Sequence, residues 1–287
     1  MPAPSDGSPV LSCEFFPPVT AEGLIKLQAA RSQLLALRPA YFSVTYGAGG
    51  STRERTVEAV LDIQHSGPVP AAPHLTCIAA TRDSTRELLL HYRAQGIGRV
   101  VALRGDMPSG MRDPGEFRHA NELVQFIRTE FGDHFHIEVA AYPEYHPQAP
   151  SPEKDLDNFQ RKVDAGANSA ITQYFYNADA YFRFRDTCAQ RGIAIPIVPG
   201  IMPITNFTQL ARFSDACGAE IPRWVRKNLE SFGDDREAIR AFGLDVVSAL
   251  CERLLSGGAP GLHFYSMNQA TLTLAITERL GLIPARR

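Results

Sequence analysis

Residues 41–52 read Tyr41-Phe42-Ser43-Val44-Thr45-Tyr46-Gly47-Ala48-Gly49-Gly50-Ser51-Thr52. Six residues rich in aromatic and β-branched side chains run into a glycine turn, and Ser51 or Thr52 then stands where a helix wants its N-cap. This is one strand–turn–helix unit, and it recurs. Candidate strands lie at 10–16, 41–46, 71–78, 99–105, 136–142, 169–175, 195–201 and 261–266. Helical patterns follow them at 21–37, after 51, and at 84–95, 117–131, 153–166, 178–191, 206–214, 235–255 and 268–280. In the first helix Leu24, Leu27, Leu34 and Leu37 keep helical spacing, and Pro17-Pro18 stops the strand before it. Such alternation calls for parallel strands with crossover helices. Eight units within 287 residues fit an α/β fold closed as a (β/α)8 TIM barrel better than an open sheet. One catalytic domain over 10–287 is expected, after a disordered tail at 1–9. Segment 215–234, with Pro222, Gly233 and the single Trp224, reads as an insertion.

Composition narrows the function. With 44% hydrophobic and 21% charged residues the chain belongs to the soluble globular class. A net charge of −2 without a Lys/Arg block gives no footprint for nucleic acid. No apolar run is long enough to span a membrane, and the N-terminus has neither the basic segment nor the apolar run of a signal peptide. Five cysteines, odd in number and without a CxxC pair, argue against a disulfide framework or zinc knuckle and for free thiols in a reducing cytosol. No metal-ligand spacing, P-loop, GxGxxG or Ser-His-Asp arrangement occurs, so no metal is expected.

Chemistry in such barrels sits at the C-terminal ends of the strands. Those ends carry Glu14, Thr45-Tyr46, His74, Arg104-Gly105-Asp106, Tyr142 with His146 beyond it, Gln173, and His263-Phe264-Tyr265. Carboxylates, histidine, arginine and glutamine are therefore expected to meet on one rim. Glu14 interrupts an apolar strand, and apolar surroundings are expected to raise its pKa as suits a general acid. The glycine loop at 47–50 would let backbone N–H groups approach a ligand at a helix N-terminus. Asp155, Asn158 and Lys162 fall on one helix face, with Arg161 beside them. These residues alone define an enzyme with an acidic, histidine-bearing rim.

Several strings resemble the methylenetetrahydrofolate reductase family: Cys13-Glu14-Phe15-Phe16-Pro17-Pro18, Phe42 to Gly50, Pro73-His74-Leu75-Thr76-Cys77, Ala102 to Asp106, and Ala140 to Pro147. Lys162 to Asn168, Ile171 to Phe175, Val198 to Ile204 and Gly261 to Asn268 continue the likeness in order. The resemblance implies FAD at the C-terminal rim, reduction by NADH or NADPH, and ping-pong hydride transfer to 5,10-methylenetetrahydrofolate, supplying methyl groups for methionine synthesis. It further implies a cytoplasmic homo-oligomer. Glu14 maps onto the general acid and Asp106 onto the acidic residue near flavin and pterin. Flavin contacts carry over to Tyr46, Ala48, His74, Arg104, Gly105, Asp106, Ala120, Tyr142, His146, Ala149, Asp155, Asn158, Arg161 and Lys162. Thr45, Asp106, Gln173, Phe207 and Gln269 map onto substrate-binding positions.

The chain departs from the family at Gln269, where Arg often follows the Asn of the last strand. No S-adenosylmethionine-binding domain is expected after Arg287. The alternatives are another flavin-barrel oxidoreductase resembling proline dehydrogenase, which needs no pterin site, and a non-catalytic folate-binding barrel. Gln173 with Glu14 and Asp106 argues against the first, and retention of both carboxylates argues against the second.

Overall fold

The computed structural model describes residues 8–46, 51–105 and 115–283. Most of the expected tail at 1–9, and the glycine loop at 47–50, lie outside the described residues. The strands are β1 Val10–Phe15, β2 Tyr41–Val44, β3 Ala71–Thr76, β4 Arg99–Leu103, β5 His136–Ala141, β6 Ser169–Thr172, β7 Ile197–Val198, β8 Gly200–Ile201 and β9 Gly261–Tyr265. The helices are α1 Ala21–Leu34, α2 Ser51–His65, α3 Arg82–Ala94, α4 Ala120–Phe131, α5 Pro152–Asp164, α6 Ala178–Gln190, α7 Phe207–Cys217, α8 Arg223–Ser231, α9 Arg236–Ser256 and α10 Thr271–Arg279. Local chemistry sets several starts. Thr20 accepts from Gly23 N–H, Thr81 and Ser84 form a capping box, and Ser151 caps α5 ahead of Pro152.

All paired strands are parallel, in the order β7-β6-β5-β4-β3-β2-β1-β9-β8. The expected strand at 195–201 is split at Pro199. Its first part pairs with β6 and its second with β9, so this one run closes the ring into a (β/α)8 barrel. The expected insertion at 215–234 also differs, since it contains α8, which buries Val225 and Leu229. A nine-residue helix with so narrow an apolar stripe falls below what periodicity resolves.

Register fixes which side chains face inward. Ser12 is in register with Tyr41 and His263, and Glu14 with Ser43 and Tyr265. Neighbours in register share a face, and Glu14 and Tyr265 line the rim cavity, so this face is the barrel interior. The alternate residues Cys13, Phe15, Phe42, Val44, Leu262 and Phe264 are fully buried and join Leu27, Leu34, Val60 and Leu89 in the core between sheet and helices. The apolar core is therefore outside the barrel. Inside it, polar residues run the full depth. At the N-terminal end of the strands Glu138, only 2% exposed, ion-pairs with Arg99 and accepts from Tyr41 Oη at 2.6 Å.

Candidate active site

Glu14 stands near the end of β1. Its Oε2 lies 3.2 Å from His74 Nε2 on β3 and 3.7 Å from His263 Nε2 on β9. His263 is completely buried, and its Nδ1 is 2.7 Å from Ser12 Oγ. The loop after β9 grips the same segment from outside: Ser266 donates to Glu14 O, and Asn268 pairs with both Phe16 N–H and Phe16 C=O. The sequence-based expectation of a raised Glu14 pKa is corrected here. Burial alone raises it, but His74 and His263 together outweigh burial and hold the carboxyl at about 2. Sequence reading saw the apolar neighbours along β1, but those point away into the core. The neighbours that matter come from β3 and β9. Ser43 Oγ, the register neighbour of Glu14, is buried without a hydrogen-bond partner among the described residues, while His74 Nε2 and His263 Nε2 face the Glu14 carboxylate. An unpartnered atom such as Ser43 Oγ is costly in a finished core and ordinary in a site awaiting a polar ligand.

Above Glu14 opens a cavity of about 440 Å³. Gln173 lines it, with its Oε1 held by Tyr174 N–H at 3.0 Å, so the amide NH₂ is the group left for a ligand. Tyr265 lies beneath, its hydroxyl donating to Thr172 O at 2.7 Å. Gly200 permits this. A Cβ there would stand 2.2 Å from Thr172 O and 2.6 Å from the Tyr265 ring.

A second cleft of about 440 Å³ shares Leu103, Ala140, Tyr142, His146 and Gln148 with the first. It gathers Arg104, Gly105, Ala120, Ala149, Asp155, Asn158 and Lys162. Gly105 has φ +82°, and a Cβ would press to 2.9 Å from Thr76 Cβ, so the chain hugs β3 at this point. Arg104 reaches Gln148, Asp155 accepts from His146 N–H at 3.0 Å, and Lys162 Nζ donates to Ala140 O. Burial draws the Lys162 ammonium down to about 8 against the pull of Asp155, and burial raises Asp155. Two cations, the N-terminus of α4 and small side chains at Ala102, Ala120, Ala140 and Ala149 suit a large, partly planar, anionic group. A flavin dinucleotide has that chemistry, so the residues present fit FAD.

The remaining expected site residues are dispersed. His74 is in the Glu14 cavity rather than the cleft. Tyr46 and Thr45 are half-buried just past β2, and Thr45 O accepts from Thr56 Oγ1. Arg161 lies outside the cleft, bonded to Asn158 at 3.4 Å. Phe207 packs against the core at the start of α7, whereas Phe213 of the same helix lines the cavity. Gln269 is exposed, its backbone N–H bonded to Ser266 O. Ala48 and Asp106 lie outside the described residues. Sequence reading missed Ser12, Tyr41 and Glu138, whose signal was the period-2 placement of polar residues in β1, β2 and β5.

A parallel barrel with a carboxylate–histidine group in its rim cavity, open to a cofactor-sized cleft, belongs with the barrel oxidoreductases. A family model described as methylenetetrahydrofolate reductase matches residues 2–281. The 5,10-methylenetetrahydrofolate reductase of Escherichia coli strain K12 is 42% identical over 96% of this chain and 91% of its own, and that of Salmonella typhimurium 43% over the same shares. A probable methylenetetrahydrofolate reductase (NADH) of Oryza sativa is 40% identical over 98% of this chain, which spans 50% of that longer protein. The chain belongs to the methylenetetrahydrofolate reductase family and is an oxidoreductase. A protein from Clostridium thermocellum described as binding two copies of 5-methyl-5,6,7,8-tetrahydrofolic acid superposes with TM-score 0.63 at 16% identity, covering 95% of each chain, which supports the barrel fold. No described helix is long and apolar enough to cross a membrane.

Proposed function

We propose that the protein reduces 5,10-methylenetetrahydrofolate to 5-methyltetrahydrofolate, using FAD as bound carrier and NADH or NADPH as reductant. The observation that carries this reading is the Glu14 carboxyl in the cavity floor between His74 and His263, beside a cleft that fits a flavin. When bound, the flavin would take a hydride from the nicotinamide and deliver it to the folate. The chain's own residues do the rest. Ring opening of the folate needs a proton on its bridging nitrogen, and Glu14 is placed to give it. In the open cavity His74 and His263 hold the Glu14 carboxyl ionised, well below its ordinary range. A ligand that covers the cavity removes water, makes a buried carboxylate costlier and so draws a proton onto Glu14. Glu14 then becomes the acid as the substrate seats.

Gln173 offers its NH₂ to a pterin carbonyl or a nicotinamide amide in turn, and a cavity of this size holds one ring system at a time. That supports ping-pong use of one face. Lys162 and Arg104 would hold the cofactor's phosphates or ribityl oxygens, and the small alanines leave space for its ring. The name of the rice relative supports NADH as reductant. The test is a visible spectrum of the purified, FAD-supplemented protein, then anaerobic NADH or NADPH, then methylenetetrahydrofolate. Bleaching of flavin absorbance by nicotinamide and its recovery with folate are expected. A colourless protein after gel filtration overturns the reading.

A further inference from the structure

A barrel interior is ordinarily filled by layers of Val, Ile and Leu. This one contains a column of proton-bearing side chains from rim to base. Glu14 faces His74 on β3 and His263 and Tyr265 on β9. His263 Nδ1 lies 2.7 Å from Ser12 Oγ, and Ser12 is the register neighbour of Tyr41 on β2, so the Ser12 hydroxyl and the Tyr41 phenol share the barrel interior. Tyr41 Oη donates to Glu138 at 2.6 Å. Glu138 is held by Arg99 on β4 and accepts from Ser169 Oγ at 3.3 Å, and that hydroxyl meets His136 Nε2 at 2.7 Å. His136 opens β5 at the opposite end of the barrel, and its side chain is 29% exposed, whereas His263 is fully buried.

We infer that this column is a proton path from solvent at the base of the barrel to Glu14 at the rim. The inference rests on the folate reading above. Reducing methylenetetrahydrofolate with a nicotinamide consumes one hydride and one proton. The hydride comes from the nicotinamide, and the proton comes from water. With a substrate seated over Glu14 the mouth of the cavity is covered, and the base is the other wet end.

The chemistry balances without any redox change. Glu14 gives its proton to the folate nitrogen. It regains one from His263 Nε2, while His263 Nδ1 takes the Ser12 proton, Ser12 the Tyr41 proton, and Tyr41 a proton arriving on Glu138 through Ser169 and His136. Serine, tyrosine and imidazole each both donate and accept, as such a relay requires. After one such transfer Tyr41 points its hydroxyl proton at Glu138, which is the direction seen. The 3.7 Å between His263 and Glu14 is longer than a hydrogen bond, so this transfer requires the carboxylate to turn from His74 toward His263.

Tyr41→Phe in the FAD-loaded enzyme tests this, because Tyr41 is remote from both cavities yet its hydroxyl is the mid-point of the column. Bleaching of the flavin by NADH is expected at the wild-type rate. Folate reduction is expected to slow roughly ten-fold, part of what a positioned acid contributes, with a larger solvent deuterium isotope effect. Ser12→Ala, which removes the next hydroxyl, is expected to do the same. Nitrogen-15 NMR of the histidine rings gives a readout apart from turnover: the His263 ring signals are expected to shift in Tyr41→Phe. Wild-type folate rates and isotope effects in both folded variants would overturn the path and leave the folate reading standing. A wild-type protein that bleaches with NADH but does not react with folate would overturn both.

Discussion

Glu14 owes its chemistry to neighbours 60 and 249 residues away in the chain, His74 and His263, brought to it by strand pairing. Glu14→Gln keeps the shape and loses the proton. It is expected to slow folate reduction by about 10²–10⁴, the usual worth of a positioned acid, while NADH still bleaches the flavin at the wild-type rate. Stopped-flow measurement of the two steps separates these outcomes, and equal impairment of both would make Glu14 a positioning group. Gln173 acts at the other wall of the same cavity. With Oε1 engaged by Tyr174 N–H, its NH₂ is the donor offered to a ligand. Gln173→Ala is expected to weaken folate binding by about 1–3 kcal/mol, the cost of leaving a buried polar group unpartnered. Titration of the oxidised enzyme with folate measures it, and unchanged affinity would assign Gln173 to the barrel wall.

Helix α5 shows how far one element's sequence carries. Asp155, Asn158 and Lys162 share a face by spacing, and that face lines the cleft, while Arg161 points off it. Lys162→Met is therefore expected to weaken FAD retention about ten-fold or more, as loss of a charge-assisted hydrogen bond does. Arg161→Met is expected to leave retention within about 0.5 kcal/mol, as surface substitutions do. Flavin remaining after gel filtration compares the two, and reversed effects would put the anionic group on the other side of the helix. The βα units were legible because each is local, a short apolar run, a turn and an amphipathic helix. Barrel closure was less so, since the split at Pro199 and the pairing of Ile197–Val198 and Gly200–Ile201 with different strands depend on the whole ring. The polar interior was visible in the alternation Ser12, Glu14 and Tyr41, Ser43, Thr45, but alternation does not say which face meets the helices. Only the register of β1 with β2 and β9 decides that.

At the scale of the molecule, a polar barrel interior makes stability depend on pH. Burial and then Arg99 hold His136 down to about 3 from its ordinary 6.5. Between those values the unfolded chain binds a proton there that the folded barrel does not. Stability from this group is present above pH 6.5 and falls as the pH falls, by at most about 1.4 kcal/mol per pH unit. Glu14, held at about 2 against burial by its two histidines, adds a second loss that begins near its ordinary 4.5 and continues downward. Lys162 works at the other end. Its folded value of about 8 against an ordinary 10.5 means the unfolded chain holds the extra proton between them, so stability from this group rises with pH across that window. Urea unfolding is therefore expected to show falling stability from pH 6.5 downward, steepening below about 4.5. His136→Gln does not titrate and keeps a partner for the Ser169 hydroxyl. It is expected to flatten the slope between pH 6.5 and about 4.5 by close to one proton, while the steeper part below remains. An unchanged slope in that variant would place the acid sensitivity in groups other than His136.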